Sequence, residues 1–428
     1  MQSQSAILTD PLDQVAYLRS PQAIRERCTQ LFELALSDRL THFRCDLTQL
    51  ESTANYVLRV MRQHYPDLDI PFHSRWRHFE VGNPRRLAHL EQLLTGLTPI
   101  EKARAKFDLA IVSVLLDAGA GAAWHYTEAS TSQTFGRSEG LAIASFWMVC
   151  QGIFSSSPDN PLQVDAQALQ TLTEESLATG FQVTAANPLV GLPGRTQLLQ
   201  QLGHTLPRYP HLFGTQSPRP GMLVDYLLAR SHNGTLTAAQ VLSAVLEGFS
   251  NIWSQRLTLA RINLGDVWTH SALFPIPVRL SAHVEAYSLF PSLIPFHKLS
   301  QWLTYSLLEP LQELGLEITG LDELTGLPEY RNGGLCIDLG LLQVKDPTIL
   351  QQQQLVSSEA IVEWRALTVI LLDRIAETIR QKLGMTAIAL PLVKILQGGT
   401  WTAGRQIAAD LRPGGTSPIQ IASDGTVF

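Results

Sequence analysis

The sequence predicts a mostly α protein, a multi-helix globular fold with a small β component. Three observations predict it. Apolar residues recur at helical period over long stretches. Helix-opening residues stand before those stretches and glycines behind them. Strand signals are few, and the clearest lies at 418–428, where Asp424-Gly425 is a hairpin dipeptide between Ile419-Gln420-Ile421 and Thr426-Val427-Phe428.

In chain order, Ser20-Pro21 opens a helix through Ile24, Cys28, Leu31, Leu34 and Leu36. Thr98-Pro99-Ile100-Glu101 is a capping box with proline at the first helical position, starting a helix to about Asp117 with Gly119 as its C-terminal glycine. In the helix at 295–315, Lys298, Trp302, Tyr305 and Glu309 share one face, readable as a solvated face or as a pocket wall. The Leu-x-Gly-x-Pro start and paired glycines of 324–338 suit a tight hairpin between two helices. Ser357-Ser358 precede a long apolar helix ending near Lys382, with Gly384 behind it. Gly404 opens a short helix that would set Arg405 and Arg412 on one face. Residues 1–95 read as an N-terminal helical region and 96–428 as the main catalytic region with the terminal hairpin, together one compact unit.

Composition narrows the function. The 428 residues are 45% hydrophobic and only 16% charged, which suits much buried surface and suggests a homo-oligomer. A net charge of −6 provides no basic field for nucleic acid or anionic lipid. The apolar stretches at 107–124 and 140–154 are interrupted by aspartates or fall short of the roughly 20 residues that span a bilayer. The first residues lack a signal peptide's charged start and apolar run, and four widely spaced cysteines form no disulfide or zinc pattern, so a cytoplasmic protein is expected. Gly119-Ala120-Gly121 fails as a dinucleotide fingerprint because Trp124 stands where a small residue is needed. His73 and His78 are off-phase for a metal pair, and no cofactor is expected.

Four segments gather charged and aromatic residues within apolar surroundings. Asp117 leads into a small-residue platform walled by Trp124 and Tyr126 and followed by Arg137 and Glu139. His297, Lys298 and Trp302 form the second group. Glu329, Tyr330, Arg331 and Asp338 form the third. In the fourth, Glu363 and Arg365 lie in a helix apolar nearly all round, where each needs a partner.

At these words the chain resembles the uracil-catabolism family of fungi and bacteria, the fourth component of the URC pathway. The resemblance runs through FHSRWRHFE at 72–80, LLDAGAG with Trp124, RSEGLAIASF from Arg137, PFHKLSQWLTYSLLEP, LTGLPEYRNGGL, SEAIVEWRALTV, GGTW with AGR ending at Arg405, and SDGTVF. Cys336 stands where the family leads us to expect phenylalanine. The words around Glu329-Tyr330-Arg331 and Glu363-Trp364-Arg365 are similar to those of the queuosine-salvage N-ribosyl hydrolases, with glutamate in place of aspartate at Glu329. That likeness implies a fold related to helix-hairpin-helix glycosylases. Together the resemblances imply a hydrolase that cuts the N-glycosidic bond of ribosylurea or its 5′-phosphate and takes a small nucleoside-like substrate. The candidate catalytic carboxylates are Glu329 first, then Asp117, Glu363 and Asp338. The candidate binding residues are Trp124, Tyr126, Arg137, Glu139, His297, Lys298, Trp302, Tyr330, Arg331, Arg365, Trp401 and Arg405. A uracil phosphoribosyltransferase, or a non-catalytic partner of the ring-opening enzyme, remains the alternative reading. Asp322-Glu323 lacks the strand and phosphate loop that a transferase needs.

Overall fold

Helix starts follow the side-chain caps. Ser20 Oγ accepts the Ala23 amide at 3.1 Å and opens Pro21–Leu36, and Thr98 Oγ1 accepts the Glu101 amide at 3.3 Å and opens Pro99–Leu115. The computed structural model describes residues 8–82, 85–253, 256–274 and 289–422. It is mostly helical, and among the described residues the strands are at most three residues long and pair in two-stranded sheets. The terminal Asp424-Gly425 hairpin lies outside the described residues. The chain gathers into two compact units, each assembled from segments distant in sequence.

Of the described residues, the first unit holds 8–72, 256–274, 289–298 and 321–422. Its spine is Glu359–Leu383, buried continuously from Ala360 to Leu372 and ended by Gly384 in the left-handed conformation (φ +64°). Pro21–Leu36 and Leu50–His64 pack on this spine. Antiparallel pairs join Phe43–Cys45 to Leu342–Val344 and Val267–Thr269 to Leu293–Pro295.

Of the described residues, the second unit holds 73–82, 85–253 and 299–320. Its core includes Pro99–Leu115 packed on Arg137–Cys150. A parallel pair joins Thr235–Thr237 to Glu317–Thr319. Among the described residues no helix is long and apolar enough to cross a membrane.

Four local expectations are corrected. Gly119 does not cap the helix, which ends at Leu115; the left-handed glycine there is Gly121 (φ +85°). The stripe on Lys298–Glu313 is no solvated face, because Trp302 and Tyr305 are buried. The paired glycines make no hairpin: Gly333 and Gly334 lie inside Tyr330–Asp338, where a Cβ on Gly333 would stand 2.6 Å from the Trp364 ring. Gly404 does not open its helix, which runs Trp401–Leu411; Arg412 ends it in extended geometry (φ −138°, ψ 137°), so the two arginines share no helix face.

Candidate active site

Glu329 is built into the first unit as the N-cap of Tyr330–Asp338. Its Oε1 accepts the Asn332 amide at 2.6 Å and its Oε2 the Arg331 amide at 2.7 Å. The Asn332 side chain ties the approach by donating to Leu327 O at 3.0 Å. Glu329 is 9% exposed. Burial pushes its carboxyl above the ordinary glutamate range, against the two backbone amides and the charges of Lys298 and Arg331, which favour the ionised form. A carboxylate has about four lone-pair positions, so both oxygens keep accepting capacity beyond the cap. Arg331 donates to Gly415 O at 2.6 Å, and its guanidinium lies 5.4 Å from the Tyr330 ring centre.

The partner that a buried Arg365 requires is Asp266, 99 positions away in sequence. Arg365 grips both carboxylate oxygens, at 2.8 and 2.7 Å, and its guanidinium lies 4.0 Å from the Phe296 ring centre. Asp266 also accepts from Trp268 Nε1 at 2.7 Å and the Lys298 amide at 3.0 Å. Burial raises the Asp266 carboxyl, but Arg365 and these donors outweigh it and hold it well below the usual carboxylate range. Beside this pair sits His297, buried with φ +47°, its Nε2 at 2.9 Å from Leu18 O. Burial pulls the imidazole down to about 4, so it is neutral at pH 7.

Glu363 and Asp338 have structural partners. Glu363 Oε1 accepts the amides of Phe43 at 2.6 Å and His42 at 3.1 Å, and Oε2 lies 3.4 Å from His270 Nε2. Asp338 makes a two-pronged pair with Arg412, at 2.7 and 2.5 Å. Arg405 lies over the half-buried Trp401 ring, 4.8 Å from its centre.

The remaining candidates belong to the second unit. Trp124 is buried and donates to Phe181 O at 3.0 Å, and Tyr126 is buried in the strand His125–Thr127. Arg137 is exposed, with φ +54°, and Glu139 is half-buried. Asp117 pairs at 3.1 Å with a residue that the sequence reading passed over, the fully buried Arg75. Proline chemistry sets Arg75 in place. Pro310 has no N–H, so the carbonyl four residues earlier, Ser306, is free of its helical donor. Trp76 Nε1 donates to that carbonyl at 2.7 Å, and Ser306 Oγ accepts the Arg75 amide at 2.9 Å. Ser74 and Arg77 bind Glu309 on the same helix, Arg77 at 2.7 Å. The FHSRWRHFE and SLLEP words are thus two sides of one contact.

Asp266, Ser306 and Pro310 were likewise not among the candidate site residues. The only sequence signal for Asp266 was that Arg365 needed an anion. Among the described residues no group of three or more His, Cys, Asp or Glu side chains is arranged to hold a metal ion.

Fold and site define a mostly helical protein whose first unit presents a buried, cation-flanked carboxylate at a helix N-terminus. The chain belongs to the family described as protein of unknown function (DUF1688), whose model matches residues 17–428. It is 40% identical over 423 residues to Protein urg3 of Schizosaccharomyces pombe, covering 97% of this chain and 99% of that protein. It is 37% identical over 445 residues to Uracil catabolism protein 4 of Lachancea kluyveri, with coverage of 97% and 99%.

Proposed function

We propose that this protein acts in uracil catabolism as an N-ribosyl hydrolase, cleaving the N-glycosidic bond of ribosylurea or its 5′-phosphate to release urea. The full-length likeness to a protein named for uracil catabolism supports the pathway. Glu329 carries the chemical reading. It is a buried carboxyl raised by desolvation, which brings its pKa closer to working pH, where it can take a proton from attacking water. In its ionised form it faces the positive charge that develops at C1′ as the C1′–N bond breaks. Water oxygen then bonds to C1′ as the C1′–N bond breaks, and the proton that Glu329 took from the water passes to the leaving nitrogen, which departs as urea. Lys298 and Arg331, whose charges act on Glu329, would hold hydroxyl or phosphate oxygens of the sugar.

The test is incubation of pure protein with ribosylurea and, separately, with its 5′-phosphate, following urea and the free sugar. Urea release from one of them is expected. A parallel incubation with uracil and phosphoribosyl diphosphate reads the competing chemistry. Nucleotide formation there, with no urea from either ribosylurea, would replace the hydrolase by a transferase. Inactivity in all three would leave a non-catalytic partner of the ring-opening step.

A further inference from the structure

In the second unit, two neighbouring buried groups each carry a hydrogen-bond donor that has no acceptor among the described residues. Arg75 Nε donates to Ser113 Oγ at 2.7 Å and Nη1 meets Asp117 Oδ2 at 3.1 Å, but Nη2 has no partner among the described residues. Trp302, 5% exposed, has an Nε1 in the same condition. The Arg75 guanidinium lies 5.4 Å from the Trp302 ring centre, and the rings of His73 and His78 lie 6.5 and 5.6 Å from the same ring. A buried donor without an acceptor is costly, and here two such donors stand on neighbouring groups.

We propose that this cluster binds a neutral, planar amide of the ureide or pyrimidine class. Its carbonyl oxygen accepts from Arg75 Nη2 and Trp302 Nε1, and its N–H donates to Asp117. Charge decides against an anion. The Arg75 cation is already countered by Asp117, and the Glu139 charge acts on it as well. A bound anion would add a buried negative charge beside these carboxylates. Asp117 is acceptor-only when ionised, so it calls for a ligand N–H rather than another oxygen. Its side chain is 10% exposed, which puts the acceptor where the cluster meets solvent. The flat faces of Trp302 and the two histidines suit a planar π system.

Calorimetry on the full chain tests this, with uracil and ribosylurea as probes and inorganic phosphate and acetate as controls. At least one neutral probe is expected to bind, in preference to both anions. Trp302→Phe keeps an aromatic ring but deletes the N–H, and should weaken that binding roughly fivefold to tenfold, the scale of one neutral hydrogen bond. Should that variant not fold, Asp117→Asn reads the same site, because its amide offers the ligand N–H a poorer acceptor. No binding by either neutral probe, preference for an anion, or neutral-probe binding that a folded variant leaves unchanged would each overturn the proposal. The choice of probes rests on the proposed function, but calorimetry reads binding alone. Absent urea release with intact binding removes the hydrolase and leaves this site standing.

Discussion

Glu329→Gln separates the structural work of this residue from its chemical work. Both carboxylate oxygens accept helix amides, at 2.6 and 2.7 Å. A glutamine keeps one acceptor and turns an NH₂ toward the other amide, so one buried N–H loses its partner. The lost cap bond and the unsatisfied donor together predict a stability loss of about 1–3 kcal/mol. The charge change has a pH signature of its own. Burial raises the folded-state pKa of Glu329, so above the ordinary glutamate pKa the native state holds more protons than the unfolded state. Its contribution to stability is therefore largest in acid and is lost as pH rises through the folded pKa. Glutamine removes that dependence. Urea denaturation of both proteins across the weakly acid range, with slopes compared, gives the numbers. Glu329→Asp completes the design. Aspartate is a strong N-cap and restores most of the stability, but it withdraws the carboxylate by one methylene. A displacement of roughly 1 Å at a reacting centre costs about 10²-fold in turnover, so Glu329→Asp should be folded and slow. A Glu329→Gln protein as stable as wild type with the same pH slope would refute the cap. A Glu329→Asp protein that turns over normally would refute the catalytic assignment.

Three further outcomes are expected. Gly404→Ala places a Cβ 2.9 Å from the Arg331 carbonyl carbon, a backbone atom that cannot swing away, and should cost about 1–3 kcal/mol by denaturation. Asp338→Asn breaks the two-pronged pair with Arg412, whose side chain is 24% exposed, and should lower stability by about 1–3 kcal/mol while leaving urea release per folded molecule unchanged; a selective loss of turnover would move Asp338 into the chemistry. His297 titrates near 4 when folded and 6.5 when unfolded, so the unfolded state binds more protons between these values and stability falls as pH drops through that window. His297→Asn tolerates the positive φ and should flatten that acid loss in denaturation curves, and an unchanged slope would exclude His297 as its source.

The relation between cap and core explains what was readable in the residues. Ser20, Thr98 and Gly384 mark helix ends through contacts a few residues long, and each lies where the sequence puts it. Apolar period marked the spine Glu359–Leu383, and its length and burial required anions or polar groups for Arg365 and Glu363.

The words that resemble the family were legible as strings, but their pairing was not. The helical class, the main helix boundaries, the need to compensate Arg365 and membership of the family could all be read from the order of the residues. It took the folded chain to reveal that Asp266 answers Arg365, that Arg412 turns to Asp338, and that Trp76 fills the bond Pro310 leaves open. The fold likewise shows that Gly333 and Gly404 are glycines because Trp364 and the Arg331 backbone press against them, not because the chain turns there. The physical reason is range. Caps and periodicity act within one or two turns of the chain, where spacing fixes distance. Charge pairs and close packing join residues tens to hundreds of positions apart, and in those cases only the folded chain sets the distance.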